Sequence, residues 1–219
     1  NCSVKWDIES KCVETTFTPE QNIKDVINEF EDNSLDDCLS IKNFSLWGMP
    51  KNEVIKNLIK FVDKYKEWIN TQVEESNKLN DYENVIAKRI IERQQENYDR
   101  LKSNILLLNI DNTFKAFQIA NTAMLIQLII SNDIDFAKTE KEIDQISKDI
   151  DFNSLAFFEN YNAIERLGFI PKYRPFQLAF FLLSIEEIIK PEIRKLRNSV
   201  DLIWFPTGGG KTEAYLAVT

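Results

Sequence analysis

The chain has 219 residues, is 43% hydrophobic and 28% charged, and carries a formal net charge of −8. This length suffices for one or two globular cores, and the composition excludes an intrinsically disordered chain. The acidic balance argues against the chain as the main DNA-binding surface of a protein, because such surfaces are rich in lysine and arginine.

The three cysteines are Cys2, Cys12 and Cys38, and the chain has no histidine. Their spacing matches no zinc-binding pattern, and the absence of histidine removes the commonest partner of cysteine at zinc sites. We therefore expect reduced, structural thiols in a cytoplasmic protein. The first residues show no signal-peptide pattern.

Residues 1–49 are predicted to form an acidic segment with one short strand and one helix. Val4, Trp6 and Ile8 alternate with polar residues, which is typical of a strand. A capping box at residues 18–21 predicts a helix that reaches about Phe30. We expect a loop from Asp32 to Met49.

The negative charge of the chain is concentrated in residues 1–38. They contain three lysines and ten Asp or Glu residues, which gives seven of the eight excess negative charges. A solvated surface explains such a run. The alternative is a segment that mimics DNA or gates access to it.

Residues 50–168 are predicted to form a helical domain. Apolar residues recur at three- and four-residue steps, which predicts two long antiparallel helices that break near Asn80 and Asp81. Asp111 begins a third helix. Its apolar residues 114–130 are interrupted by polar side chains, so we predict a buried core helix rather than a membrane span.

Two further helices are predicted in the same domain. Thr139 and Glu142 have the spacing of a capping box, which places the start of one helix there. Asn153 or Ser154 caps the other helix, which ends at Gly168.

The first motif of the remaining residues, 169–219, is Arg174-Pro175-Phe176-Gln177. It resembles the Arg-Pro-x-Gln element with which many superfamily 2 helicases open their first RecA-like lobe. The resemblance implies that Gln177 binds the adenine edge of ATP, that Arg174 supports the nucleotide or the glutamine loop, and that Phe176 stacks or packs. A plain amphipathic helix from Pro175 to Leu183 explains the same letters and is the alternative.

A basic cluster follows at residues 190–198. It invites a nucleic-acid interpretation. However, Pro191 at a first helical position, Glu192 in the first turn and cations in the last turn are typical of a short helix. We therefore favour a structural role for this cluster.

The second motif lies between an apolar run at residues 202–205, typical of a buried strand, and an apolar run that begins at Ala214, typical of a helix. Three glycines allow the backbone to turn successive N–H groups towards phosphate oxygens. A lysine then reaches the β and γ phosphates, and a threonine hydroxyl coordinates Mg²⁺. The motif consists of Thr207, Gly208, Gly209, Gly210, Lys211 and Thr212.

The alternative for this motif is a glycine-rich turn before an ordinary helix. In the general spacing G-x-x-x-x-G-K-[ST], the first glycine position is occupied by Phe205. The resulting Phe-Pro-Thr-Gly-Gly-Gly-Lys-Thr is similar to motif I of superfamily 2 helicases rather than to the loop of kinases or small GTPases.

Together the two motifs are similar to those of the DrmA-type helicases of DISARM anti-phage systems. Residues 116–124 also resemble a Phe-x-x-Ala-Asn-x-Ala-Met segment in the helical region ahead of the RecA core of those proteins. The resemblance covers roughly residues 101–219. It implies an ATP-dependent DNA helicase or translocase in bacterial defence, with ATP and Mg²⁺ as cofactors and Lys211 as a catalytic residue.

The expected fold is therefore mainly α, with a helical N-terminal region that leads into the first strand and P-loop of a RecA-like α/β core. An acidic Walker B strand has no room after Thr212, so we expect the N-terminal part of a longer motor. Its expected partners are DNA and other defence subunits, without a membrane. Two alternatives are a translocase subunit of a restriction system and a nucleotide-switched helical interaction module without motor activity.

Overall fold

The computed structural model of the chain is mainly helical. It describes residues 4–7, 12–15, 35–136, 139–149, 151, 171–190 and 210–218. The predicted helix up to residue 30, the helix from residue 153 to 168, the basic cluster after residue 190 and the buried strand at residues 202–205 lie outside the described residues.

Two strands and eight helices make up the described part of the chain. They are β1 (Val4–Asp7), β2 (Cys12–Thr15), α1 (Asp36–Leu39), α2 (Ile41–Phe44), α3 (Lys51–Ser76), α4 (Asp81–Leu107), α5 (Asp111–Phe136), α6 (Glu140–Asp149), α7 (Pro175–Ile189) and α8 (Lys211–Leu216).

The two strands form an antiparallel pair. Val4 pairs with Thr15 and Trp6 with Val13. The alternating pattern predicted a strand over Val4, Trp6 and Ile8. β1 contains Val4 and Trp6, and Ile8 lies outside the described residues. The second strand was not predicted.

The predicted loop from residue 32 to 49 is wrong over much of its length, because it contains α1 and α2. Asp36 and Asp37 lie in the first turn of α1, where negative charge is favourable. The Ser40 hydroxyl accepts a hydrogen bond of 3.3 Å from the backbone N–H of Asn43 and so caps α2. Four-residue helices are too short to show an apolar period, and for this reason the sequence pattern missed them.

The long helices α3 and α4 form the predicted antiparallel hairpin, and their break at Asn80 is confirmed. The Asn80 side chain accepts a hydrogen bond of 3.0 Å from the backbone N–H of Glu83, which caps α4. The apolar faces of the two helices meet in the core. Their buried residues include Val54, Leu58, Val62, Ile69, Leu101 and Ile105.

Helix α5 passes through the core. Phe117 stacks with Phe181 of α7 at a ring-centroid distance of 5.2 Å and packs against Phe44 of α2 at 5.7 Å. Residues 111–131 are long and apolar enough to cross a membrane by length and composition, with a mean hydropathy of 1.3 over the most apolar window. These contacts are those of the buried core helix that the sequence predicted.

Helix α7 is attached to α4 by polar contacts as well as by apolar packing. The buried Asn104 amide donates to the carbonyl oxygens of Leu182 and Leu183, at 2.9 and 3.1 Å. Arg100 pairs with Glu187 at 2.8 Å. These bonds fix the orientation of α7, whose first turn carries the first sequence motif.

The short segment before α7 pairs with the connection between α1 and α2. The backbone N–H of Tyr173 donates a hydrogen bond of 2.8 Å to the carbonyl oxygen of Leu39. The backbone N–H of Ile41 donates one of 3.1 Å to the carbonyl oxygen of Pro171. Core residues run from Leu35, just before α1, to Ala217, just after α8. The division into an N-terminal segment, a helical domain and a RecA-like lobe remains a prediction.

Candidate functional site

The site begins at the first turn of α7, where the first sequence motif folds into a helix start. Pro175 occupies the first helical position, and Gln177 lies two residues further on. The Gln177 Oε1 atom accepts a hydrogen bond of 2.7 Å from the backbone N–H of Arg174. The helix that was the alternative reading of this motif is therefore present, and it extends to Ile189 rather than ending near Leu183.

The same glutamine also contacts the second motif. Gln177 is buried, with 6% of its surface exposed. Its Nε2 atom donates a hydrogen bond of 2.8 Å to the carbonyl oxygen of Gly210, 33 residues along the chain. The structure thus brings the Arg-Pro-Phe-Gln motif and the end of the glycine run into direct contact.

Gly210 occupies a position that only glycine suits. Its φ of +80° lies in the left-handed region, which side chains with a Cβ disfavour. A Cβ there would lie 2.6 Å from Gln177 Nε2, 3.3 Å from Glu213 Oε2 and 3.4 Å from Arg174 Nη1. Three polar side chains from two segments therefore converge on this glycine.

A cavity of about 180 Å³ lies beside Gly210. Its polar lining comes from the segment before α7, from α7 itself and from α8. Its apolar lining comes from α2 and α5. The lining residues are Ile41, Met124, Leu128, Lys172, Tyr173, Arg174, Gln177, Gly210 and Glu213.

Three polar atoms of this lining are buried without a hydrogen-bond partner. They are Arg174 Nη1, Glu213 Oε2 and the Tyr173 hydroxyl. Burial strongly raises the pKa of Tyr173 above its ordinary value, so this hydroxyl is neutral and remains a donor at physiological pH. Buried polar groups are rarely left unpaired, and several around one cavity indicate a place for a polar ligand.

Helix α8 begins at Lys211, directly after the glycine run, as the second motif predicted. Ala214 is fully buried and anchors the helix, whereas Thr212 is exposed. Thr207, Gly208 and Gly209 lie outside the described residues. Their predicted phosphate contacts, and those of Lys211 and Thr212, stay predictions.

Phe176 does not line the cavity, whereas Arg174 and Gln177 do. It is half-buried at the second position of α7 and is absent from the described lining of the cavity. Within the described ranges, no three His, Cys, Asp or Glu residues are grouped closely enough to hold a metal ion. Mg²⁺ coordination by Thr212 is a prediction that rests on the motif.

Three polar residues of the cavity, Lys172, Tyr173 and Glu213, were not predicted. Tyr173 and Glu213 are adjacent in sequence to the predicted site residues Arg174 and Thr212, and Lys172 precedes Tyr173, so this proximity in sequence was the available signal. The apolar wall from Met124 had a weaker signal, because Met124 ends the segment that resembles the helical region of DrmA-type helicases.

No protein-family model matches the chain. The chain is 31% identical over 229 aligned positions to the DISARM protein DrmA of Bacillus paralicheniformis, and the alignment covers 99% of this chain. The aligned region therefore includes the whole helical region. The motif resemblance in the sequence covered only residues 101–219, so the similarity to DrmA extends further towards the N-terminus than that resemblance indicated. The chain spans 18% of the length of that relative, so it is homologous to one segment of DrmA.

Proposed function

We propose that this chain is the N-terminal part of an ATP-dependent DNA helicase or translocase of DISARM anti-phage defence. The observation that carries the proposal is the hydrogen bond between Gln177 and Gly210. It joins a motif that resembles an adenine-reading element to one that resembles a phosphate-binding loop. The homology to DrmA supports the assignment to defence.

The described part of the glycine run suits a phosphate-binding role. Gly210 supplies a left-handed backbone position, as loops that turn N–H groups towards phosphate oxygens require. Lys211 and Thr212 follow at once. In the proposed site, Lys211 holds the β and γ phosphates and Thr212 coordinates Mg²⁺. Bound Mg²⁺ neutralises the charge that develops on the transferred phosphoryl group.

Gln177 retains hydrogen-bonding capacity for a base. Its amide oxygen has two lone pairs, of which the Arg174 N–H uses one. Its amide nitrogen has two hydrogens, of which the Gly210 carbonyl uses one. One donor and one acceptor therefore remain, which is what the edge of adenine requires.

The proposed motor acts on DNA through surfaces of the full-length protein. The net charge of −8 gives this chain a small part in DNA binding. Other subunits of the defence system are the proposed protein partners, and the cytoplasm is the proposed location.

Binding of Mg²⁺-ATP to the full-length protein tests the nucleotide site. We expect a fluorescent ATP analogue to bind the wild type, and Lys211→Ala to weaken this binding. The matched control is Lys115→Ala, because Lys115 is an exposed lysine of α5 away from the cavity. Equal affinity of wild type and Lys211→Ala would contradict the proposal.

A further inference from the structure

Two opposite charges stand beside the cavity at Gly210 without being paired to each other. Arg174 Nη1 and Glu213 Oε2 are both buried and lack hydrogen-bond partners. Each lies within 3.5 Å of the point that a Cβ of Gly210 would occupy. A buried donor atom and a buried acceptor atom thus lie close to the same glycine, and neither atom has a hydrogen-bond partner within the protein.

Leaving such groups unpaired is costly. A buried charged group without a partner costs more than a neutral one, and native proteins pair nearly all of them. A ligand that offers an acceptor next to a donor would satisfy both groups at once. The Watson–Crick edge of adenine has this character, because the N1 acceptor adjoins the N6 amino group.

We propose that Arg174 and Glu213 read the Watson–Crick edge of the adenine base of ATP. Arg174 Nη1 donates to N1, and Glu213 Oε2 accepts one hydrogen of the N6 amino group. Gln177 takes the other hydrogen of that group. This inference rests on the proposed function and makes Glu213 a specificity-determining residue of the same site.

The cavity has the size and the lining that a base requires. Its volume is about 180 Å³, and an apolar cavity of about 150 Å³ in another protein holds a benzene ring. Met124 and Leu128 of α5 supply an apolar wall against which a planar ring can pack. Tyr173 adds a neutral hydroxyl to the polar side. The helical region therefore forms part of the base pocket.

Guanine fits this arrangement badly. It presents the O6 oxygen where adenine presents an amino group, so the Glu213 carboxylate faces an acceptor. It also presents N1–H where adenine presents an acceptor, so the Arg174 donor faces a donor. A site built on such hydrogen bonds discriminates strongly against a base that leaves them unmade.

The test compares ATP with purine riboside 5′-triphosphate, which lacks the 6-amino group, in binding to the full-length protein. We expect the wild type to prefer ATP by roughly tenfold or more, the range for a hydrogen bond to a charged group. Glu213→Ala is expected to reduce this preference by weakening the binding of ATP alone, and the remaining preference is due to the hydrogen bond that Gln177 accepts from the same amino group. Glu213→Gln keeps an acceptor and is expected to retain much of the preference.

The control is Glu186→Ala, which removes a carboxylate of α7 that pairs with Lys190 outside the cavity. It should leave the preference unchanged. An equal loss for both nucleotides in Glu213→Ala would overturn the inference, since Glu213 would then only shape the cavity. 2′-deoxy-ATP serves as a third nucleotide. If Glu213→Ala lowered the preference for ATP over 2′-deoxy-ATP but not the preference over purine riboside triphosphate, Glu213 would contact the ribose and the inference would be overturned. Failure of the wild type to bind any nucleotide would instead overturn the proposed function, and this inference with it.

Discussion

The side chain of Gln177 and the carbonyl group of Gly210 are joined by a hydrogen bond of 2.8 Å. The bond exists because α7 is fixed by α4 and because Gly210 has no Cβ. A change at either residue should therefore alter the proposed nucleotide site without disturbing the helical core.

Gly210→Ala should disrupt the site. Alanine at a φ of +80° costs about 1–2 kcal/mol in backbone energy, and its Cβ would lie 2.6 Å from Gln177 Nε2. We expect the affinity for ATP to fall by roughly tenfold. Fluorescence titration with an ATP analogue measures this change, and a urea unfolding curve checks that the core is intact. Unchanged affinity would show that the Gln177–Gly210 contact is not part of the nucleotide site.

Gln177→Ala should weaken the binding of ATP more than the binding of GTP. The amide is proposed to contact the base, whereas the phosphate contacts remain in the variant. Competition binding with both nucleotides measures the change in selectivity. Gln127→Ala, at an exposed position of α5, is the control. Equal weakening of ATP and GTP would assign Gln177 to the helix start alone.

Thr122→Val should destabilise the fold. The Thr122 hydroxyl accepts a hydrogen bond of 2.9 Å from the backbone N–H of Leu46 and donates one of 2.7 Å to the carbonyl of Gln118. Valine fills the same space without these bonds, so we expect the free energy of unfolding to fall by about 1–3 kcal/mol.

Urea unfolding measures this loss. The matched control is Thr71→Val, because Thr71 is exposed and its hydroxyl only donates within its own helix. We expect a change of at most about 0.5 kcal/mol in the control. Similar losses in both variants would contradict the role of Thr122 in attaching the α2–α3 connection to α5.

Asp111 should stabilise the protein in a pH-dependent manner. A side-chain hydrogen bond from Lys51, followed by the charge of that lysine, lowers the pKa of Asp111 below 3.8. A lowered pKa contributes stability above the ordinary value, and this contribution is lost as the pH falls through the pKa of the folded state. Asp111→Asn should therefore lower the urea midpoint at pH 7, and the difference should shrink below pH 3.8. If the urea midpoints of the wild type and Asp111→Asn still differed as much in acid, the ion pair with Lys51 would be excluded as the cause of the difference.

The long elements could be predicted from the sequence because their signals are local and repeated. The apolar period gave α3 and α4, Asn80 marked their break, and the capping box at Thr139 is confirmed by bonds of 3.2 and 3.3 Å with Glu142. The short helices α1 and α2 were missed because a single turn carries no period.

The candidate site was predictable only in part. The motifs identified Gln177 and Gly210, but no sequence pattern predicts that their side chain and backbone lie 2.8 Å apart. That contact depends on the packing of α7 against α4, which is set by residues distant in sequence. The cavity residue Met124 belongs to α5, and its place in the same cavity as Glu213 follows from the tertiary fold alone.

Steady-state phosphate release by the full-length protein, with and without double-stranded DNA, tests the central claim most directly. We expect the wild type to hydrolyse ATP faster when DNA is added. Lys211→Ala should reduce the rate on the order of a hundredfold or more, because the ammonium group stabilises charge that develops during phosphoryl transfer. Undiminished hydrolysis by Lys211→Ala, or a wild-type rate that is indifferent to DNA, would contradict the account of this chain as part of a DNA-dependent motor.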